Sequence, residues 1–182
     1  MRRGKGRMRG APEIETGRLV LRGHTAKDYA DYVALWGDPV VTRYIGRGPF
    51  SAEESWSRLL RAIGHWPVMG YGYWLVFEKA SGRLVGETGL GEFKRDITPA
   101  FDGAPEAGWV LSPWAHGKGY ATEAVKAALA WSDEQVKPAR TVCIISPENA
   151  ASINVAEKCG FVRTAGASYK GEPVLTFERM LP

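Results

Sequence analysis

An α/β fold of mixed α+β type is what this sequence predicts: one domain with a central, mixed, twisted sheet of about seven strands, flanked by about five helices. Three observations lead there. Short stretches of alternating or continuous apolar residues lie between glycine and proline punctuation, which is strand chemistry. Longer stretches place apolar residues at i, i+3, i+4 and i+7 behind capping residues, which is helix chemistry. In the second half the two kinds alternate as strand, helix, strand, so part of the sheet is parallel and helices cover it.

Taken in order, residues 18–22 alternate polar and apolar and form a first strand. Thr25 and Asp28 resemble a capping pair, and Tyr29, Tyr32, Val33 and Trp36 follow at helical spacing. Asp38-Pro39 starts a short second helix that runs through Ile45. After the breaker at 46–49, Ser51 and Glu54 form a capping box for a helix that buries Trp56, Leu59, Leu60 and Ile63. Residues 71–79 and 83–90 are strands of a hairpin that turns at 80–82. Residues 91–104 show no period and are a loop. Residues 106–111 form the fourth strand, and 117–135 a helix with Ala121, Ala124, Val125, Ala128 and Leu129 inward. Strand 140–146, helix 149–159 closed by Gly160, and strands at 161–164 and 173–180 complete the chain.

A chain of 182 residues with 45% apolar and 24% charged residues fits one soluble domain with a core of its own. The formal charge of +4 suggests nucleic acid until its location is considered. Arg2, Arg3, Lys5, Arg7 and Arg9 fall in the first ten residues; without those five, 19 basic residues face 20 acidic ones, a net of −1. Residues 1–12 are therefore expected to be a basic, disordered tail and 13–182 the domain, with no basic face to bind nucleic acid. No apolar h-region follows the basic start and no apolar run approaches membrane length, so the expectation is a cytoplasmic protein without a membrane partner. Cys143 and Cys159 lack CxxC spacing and a histidine cluster, so they are expected reduced and structural, with no metal site.

The chemistry concentrates at His116-Gly117-Lys118-Gly119-Tyr120-Ala121-Thr122, where a strand passes through two glycines into a helix. The first amides of a helix have no internal acceptors and lie at the positive end of its dipole, so this turn is built to hold an anion. A triphosphate loop GxxxxGK[ST] is absent, because Lys118 lies between the glycines. A dinucleotide fingerprint would need a third glycine, where Thr122 stands, and an acidic residue ending the next strand. A third reading, acyl-coenzyme A, rests on a resemblance.

The run Gly108-Trp109-Val110-Leu111, the glycine turn through Ala124, the stretch Pro147-Glu148-Asn149-Ala150-Ala151-Ser152 and the close at Ala156-Glu157-Lys158-Cys159-Gly160-Phe161 together resemble the GNAT acetyltransferase superfamily. Glu15 to Arg22 is similar to the opening strand of its ribosomal-protein N-terminal acetyltransferase branch. The resemblance implies a sheet splayed between the fourth and fifth strands and acetyl-CoA as co-substrate. It implies that amides from His116 to Thr122 take the pyrophosphate, and that main-chain groups of Trp109, Val110 and Leu111 pair with pantetheine like an added strand. Where the family usually has Gln or Arg, this chain has His116, which leaves more to the amides and to Lys118. Asn149 and Ser152 match the family's Asn-x-x-Ser, which implies a cofactor contact and a proton donor near the thiol; read alone, both are good helix-start residues.

Acetyl transfer needs a neutral amine, a donor for the oxyanion and a proton for the thiolate. An α-amine with a pKa of about 7.7–8.0 is neutral in roughly 10–20% of molecules at pH 7, against about 0.04% for a lysine amine. An α-amine therefore needs little help from a base. Glu87, Glu92 and Glu106 are the candidate bases, Ser152 the candidate acid, and the Val110 amide the expected oxyanion donor. Glu123, in a first helical turn, reads as structural, and His24 and His65 have no evident partner. The partners expected are acetyl-CoA and an amine acceptor, protein α-amine or small molecule, met by a monomer or homodimer. A domain that binds acyl-CoA without turnover is the alternative.

Overall fold

The computed structural model describes residues 10–46 and 48–181, and among them eight strands join one sheet. In chain order the elements are β1 (Ile14–Glu15), β2 (Leu19–Arg22), α1 (Tyr29–Trp36), α2 (Pro39–Thr42), α3 (Ala52–Met69), β3 (Tyr73–Glu78), β4 (Leu84–Gly91) and β5 (Glu106–Leu111). Then come α4 (Tyr120–Gln135), β6 (Arg140–Ile145), α5 (Ala150–Lys158), β7 (Val162–Tyr169) and β8 (Glu172–Met180). The sheet order is β1-β2-β3-β4-β5-β6-β8-β7, antiparallel everywhere except between β5 and β6. The expected mixed sheet is present with one strand more than expected. The addition is β1, two residues that pair with Val20 and Leu21 and are too short to carry a period.

α2 and α3 start where the sequence places their caps, whereas α4 starts at Tyr120, three residues later than expected. Asp38 Oδ1 accepts the Val40 N–H at 2.7 Å ahead of Pro39, and Ser51 and Glu54 exchange hydrogen bonds at 3.2 and 2.7 Å. α3 stops at Gly70, whose φ of 80° is left-handed.

Helices cover both faces. On one, α4 lays Tyr120, Ala124 and Ala128 against Leu19, Leu21, Trp74, Val76, Val85 and Leu90. On the other, α1 and α3 bring Tyr32, Leu35, Trp36 and Leu59 onto Leu75 and Val110. A third cluster joins α5, β6 and β8 through Ala156, Cys159, Phe161, Cys143 and Phe177. Both thiols are buried and free, and burial pushes Cys159 up to about 11, so neither is a nucleophile at neutral pH.

The supposed tail, residues 1–12, lies outside the described residues as far as residue 9. Ala11 packs on the core, and the Pro12 carbonyl accepts the Trp74 indole N–H at 2.7 Å, so those two residues belong to the fold. No helix among the described residues is long and apolar enough to cross a membrane, and no group of His, Cys, Asp and Glu there could hold a metal.

The feature that positions the site is the junction of β5 and β6. β5 pairs with β4 at six positions but with β6 at one, Glu106 with Val142. Past that point the two parallel strands diverge, and the gap opens toward their carboxyl ends, where ligands enter open α/β sheets.

Candidate active site

Each diverging strand delivers one of the two sequence motifs to the mouth of the gap. After Leu111 a single 3₁₀ turn, Pro113–Ala115, leads into Gly117 at φ 73° and Gly119 at φ 77°. Only glycine adopts such angles without strain, and a Cβ on Gly117 would meet nothing within 4 Å, so the turn is open above. Gly119 is the N-cap of α4 and supplies no side-chain cap. The amides of Tyr120, Ala121 and Thr122 are thus left for an external acceptor, the chemistry a pyrophosphate requires.

This turn is braced from β2's side of the molecule by a residue the sequence did not single out. Arg18 donates to the Lys118 carbonyl at 2.9 Å and to Glu123 at 2.6 and 2.7 Å, and its guanidinium stacks on Tyr120. Thr16 and the Arg18 amide also donate to Glu123. Burial works to raise the Glu123 pKa, but these donors outweigh it and hold the carboxyl below its ordinary value. Glu123 is structural, as its place in the first turn suggested. Lys118 rests its ammonium over the Trp114 ring at 4.7 Å.

At the end of β6, Asn149 caps α5 by accepting the Ser152 N–H at 3.1 Å. This is the helix-start role read from composition, and the Asn149 amide nitrogen is left over. Ser152 is half-buried in the first turn of α5.

The edge of β5 corrects one expectation. Ser112 N–H donates to the Val85 carbonyl at 2.8 Å, and the register sets Glu87 opposite Val110 and Gly89 opposite Gly108. Hydrogen-bonded pairs alternate along an antiparallel ladder, so Val110 turns its main-chain groups to β4. The Val110 amide is used within the sheet and does not face the gap. Trp109 and Leu111 face it instead, and the Leu111 carbonyl already takes the His116 Nε2–H at 3.0 Å.

The candidate bases emerge on the face under α1 and α3. Residues opposite one another share a face, and Leu75, Glu87 and Val110 are in register, as are Tyr73, Gly89 and Gly108, and Gly91 and Glu106. Tyr73 therefore lies across a floor of glycines; a Cβ on Gly108 would come within 2.3 Å of its hydroxyl. Burial first, then Glu106 and Glu87, pushes that hydroxyl well above its ordinary pKa, so it stays a neutral donor.

Neither Glu87 nor Glu106 is unpartnered. Glu87 is buried and bonded to His24 Nε2 at 2.8 Å; burial tends to raise its pKa, but His24 and Arg58 outweigh this and hold it low. Glu106 is buried in a two-pronged pair with Arg95, at 2.5 and 2.6 Å, and there burial wins and the pKa is raised. Glu92, the third candidate, accepts the Lys94 amide at 3.0 Å and has the Lys94 ammonium at 3.3 Å. His65 Nε2 accepts the Glu92 N–H at 3.2 Å. The stretch 91–104, which had no sequence period, gives its first residue to β4; residues 92–104 fold back and with Gly91 and Glu106 line an open pocket of about 290 Å³.

A strand splayed from its parallel neighbour, an uncapped glycine turn at one end and a capped Asn-x-x-Ser helix at the other define the class. Residues 18–162 match the model of the acetyltransferase (GNAT) domain, and the chain belongs to that family: it is an acetyl-CoA-dependent acetyltransferase. A GnaT-family acetyltransferase from Bordetella pertussis superposes with a TM-score of 0.81 at 28% identity, covering 93% of this chain and 99% of that one. The N-acetyltransferase YnaD of Bacillus subtilis is 27% identical over 150 residues, 82% of either chain. The ribosomal L7/L12 α-N-protein acetyltransferase RimL, in complex with coenzyme A, shares the fold at 18% identity with a TM-score of 0.76, over 93% of this chain and 98% of its own.

Proposed function

We propose that the chain transfers the acetyl group of acetyl-CoA to a primary amine by direct attack within a ternary complex. The observation that carries this reading is the shared mouth: the open amides of residues 120–122 and the Asn149–Ser152 turn both stand where β5 and β6 part. Acetyl-CoA supplies the activated acyl group as a thioester.

The residues of the chain divide the remaining work. Amides from Gly117 to Thr122, with the glycines exposing them, hold the pyrophosphate. The outward main-chain groups of Trp109 and Leu111 align the pantetheine, and one of their amides polarises the thioester carbonyl. The Ser152 hydroxyl donates to the departing sulfur, and the Asn149 amide nitrogen contacts the cofactor while its oxygen fixes α5. Glu87 is engaged by His24 and Glu106 by Arg95, so they shape the acceptor face, and the amine arrives as its free base and gives its proton to water.

The deciding experiment follows thiol release from acetyl-CoA across protein N-terminal peptides, polyamines, aminoglycosides and amino acids. Release that stays at background with every amine, while acetyl-CoA binds, would leave a binding domain in place of an enzyme. Ser152→Ala is expected to lower kcat about 10- to 100-fold with little change in acetyl-CoA affinity, since a donor to the leaving group acts mainly in the transition state. If the amine must arrive neutral, kcat/KM rises with pH and levels off near the acceptor's own pKa, about 8 for an α-amine and about 10 for an alkylamine. A profile that levels off at one pH for acceptors of both kinds would point to an enzyme base.

A further inference from the structure

We infer that the acceptor carries an acidic group, a carboxylate or phosphonate, which Arg58 and Arg61 of α3 bind while its amine faces β5. The inference rests on the proposed acetyl transfer and adds a substrate class to it.

The acceptor's side of β5 is fixed by packing. α4 and its buried cluster fill one face of β4 and β5, so an amine can reach β5 only from the face that bears Tyr73, Glu87 and Glu106. Gly91 and Glu106 of that face also line an open pocket formed by loop 92–104 with Phe93, Arg95, Phe101 and Asp102. At about 290 Å³ it stands at the small end of ligand pockets.

The charges around this face do not balance. Four carboxylates there have direct partners: Glu87 is bonded to His24, Glu106 pairs with Arg95, Glu92 with Lys94 and Asp102 with Arg140 at 3.5 Å. Arg58 and Arg61 have no such direct pair: Glu87, already bonded to His24, acts on both only through space. Among the described residues neither has an ion pair or hydrogen bond, and the Arg58 Nε is buried without a partner. The carboxylate four residues before Arg58, that of Glu54, is spent on capping α3 at Ser51.

The two guanidinium groups sit one helical turn apart and are held in place by rings. Arg58 stacks 3.6 Å above Trp36, with Phe50 at 5.2 Å, and Arg61 stands 5.9 Å from the centre of Phe93. Phe93 is itself a wall of the cavity, packed against Gly91, with Arg95 on its ring at 5.0 Å and Tyr73 at 6.2 Å. Like charges this close repel, and burial together with Arg58 lowers the Arg61 pKa. An oxyanionic group removes the repulsion and offers both forks acceptors, the geometry in which arginine exceeds lysine. A cationic acceptor such as a polyamine or aminoglycoside would meet two guanidinium groups that no carboxylate pairs directly.

The test compares acetylation of α-amino acids, the matching aminophosphonates and the same amines without the acid group, with rates expressed per free-base amine. The wild type is expected to favour the acid-bearing amines in kcat/KM by about tenfold or more, the size of a charge-assisted pair. Arg61→Gln, on the exposed side of α3, should cut that preference several-fold, mainly through KM. Arg58→Lys, which keeps the charge and loses the fork, should cut it also. A preference for carboxylates over phosphonates, or the reverse, assigns the acid group within the class. Equal use of acidic and neutral amines, preference for polycations, or an Arg61→Gln variant that lowers every acceptor alike would overturn the inference and leave acetyl transfer standing. Thiol release at background with every amine would remove both.

Discussion

Gly119→Asp is expected to raise the Kd for acetyl-CoA at least about 100-fold, roughly 2.7 kcal/mol, while the fold survives. Gly119 is the N-cap of α4 and leaves the amides of the first turn without a side-chain acceptor. Aspartate is a favoured N-cap, so its carboxylate would take the amides that the pyrophosphate needs and would repel what it displaces. The stability terms offset one another. A non-glycine residue at φ 77° costs about 1–2 kcal/mol, and a new cap contributes about 1. Melting temperature should therefore change little. Arg18 stands 3.5 Å from the position a Cβ would take and could draw the carboxylate sideways. Gly119→Asn separates the terms: it has the same shape and tolerates the same backbone, but carries no charge, so its loss should be about tenfold smaller. Isothermal titration with acetyl-CoA reads both variants. Unchanged affinity in Gly119→Asp would put the pyrophosphate elsewhere.

The parts of this site that could be read in the sequence are those built from neighbours along the chain. The two glycines of the turn and the caps at Asp38 and Ser51 depend on residues within four positions, and each stands where its chemistry requires. What could not be read is set by partners far away. Arg18 meets Lys118 and Glu123 across 100 and 105 residues, and His24 meets Glu87 across 63. Sequence spacing offered three carboxylates as bases but not the partners that hold them; Arg95, for one, comes from a loop without a period. The direction of the Val110 amide depends on register with β4, and one residue of register decides which amides face the gap. β3 shows the same limit for side chains. Its strand is covered on both faces, so Tyr73 and Trp74 look alike in sequence, yet one lies on the face shared with Glu87 and the other in the core under α4.

Trp74→Ala is expected to be the most damaging single truncation for stability, at about 3–5 kcal/mol. Trp74 is fully buried, with ring centres 4.7 Å from Trp66 and 5.2 Å from Trp131, and those two stand 5.3 Å apart. The three rings meet edge to face, an arrangement worth about 0.5–1.5 kcal/mol per pair beyond the area buried. They join α3, β3 and α4, so a cavity here loosens three elements together. The indole also holds the Pro12 carbonyl, and its loss frees the chain that leads into β1. Against a typical domain stability of about 5–15 kcal/mol, the change removes a large share and should lower Tm by about 10 °C. Trp74→Phe keeps a ring and removes the N–H, so it should cost about 1–2 kcal/mol and isolate the hydrogen bond from the packing. Urea unfolding of the three proteins measures the series. A Trp74→Ala loss below about 1 kcal/mol would mean that the surrounding side chains close over the gap, which three large interlocked rings leave little freedom to do.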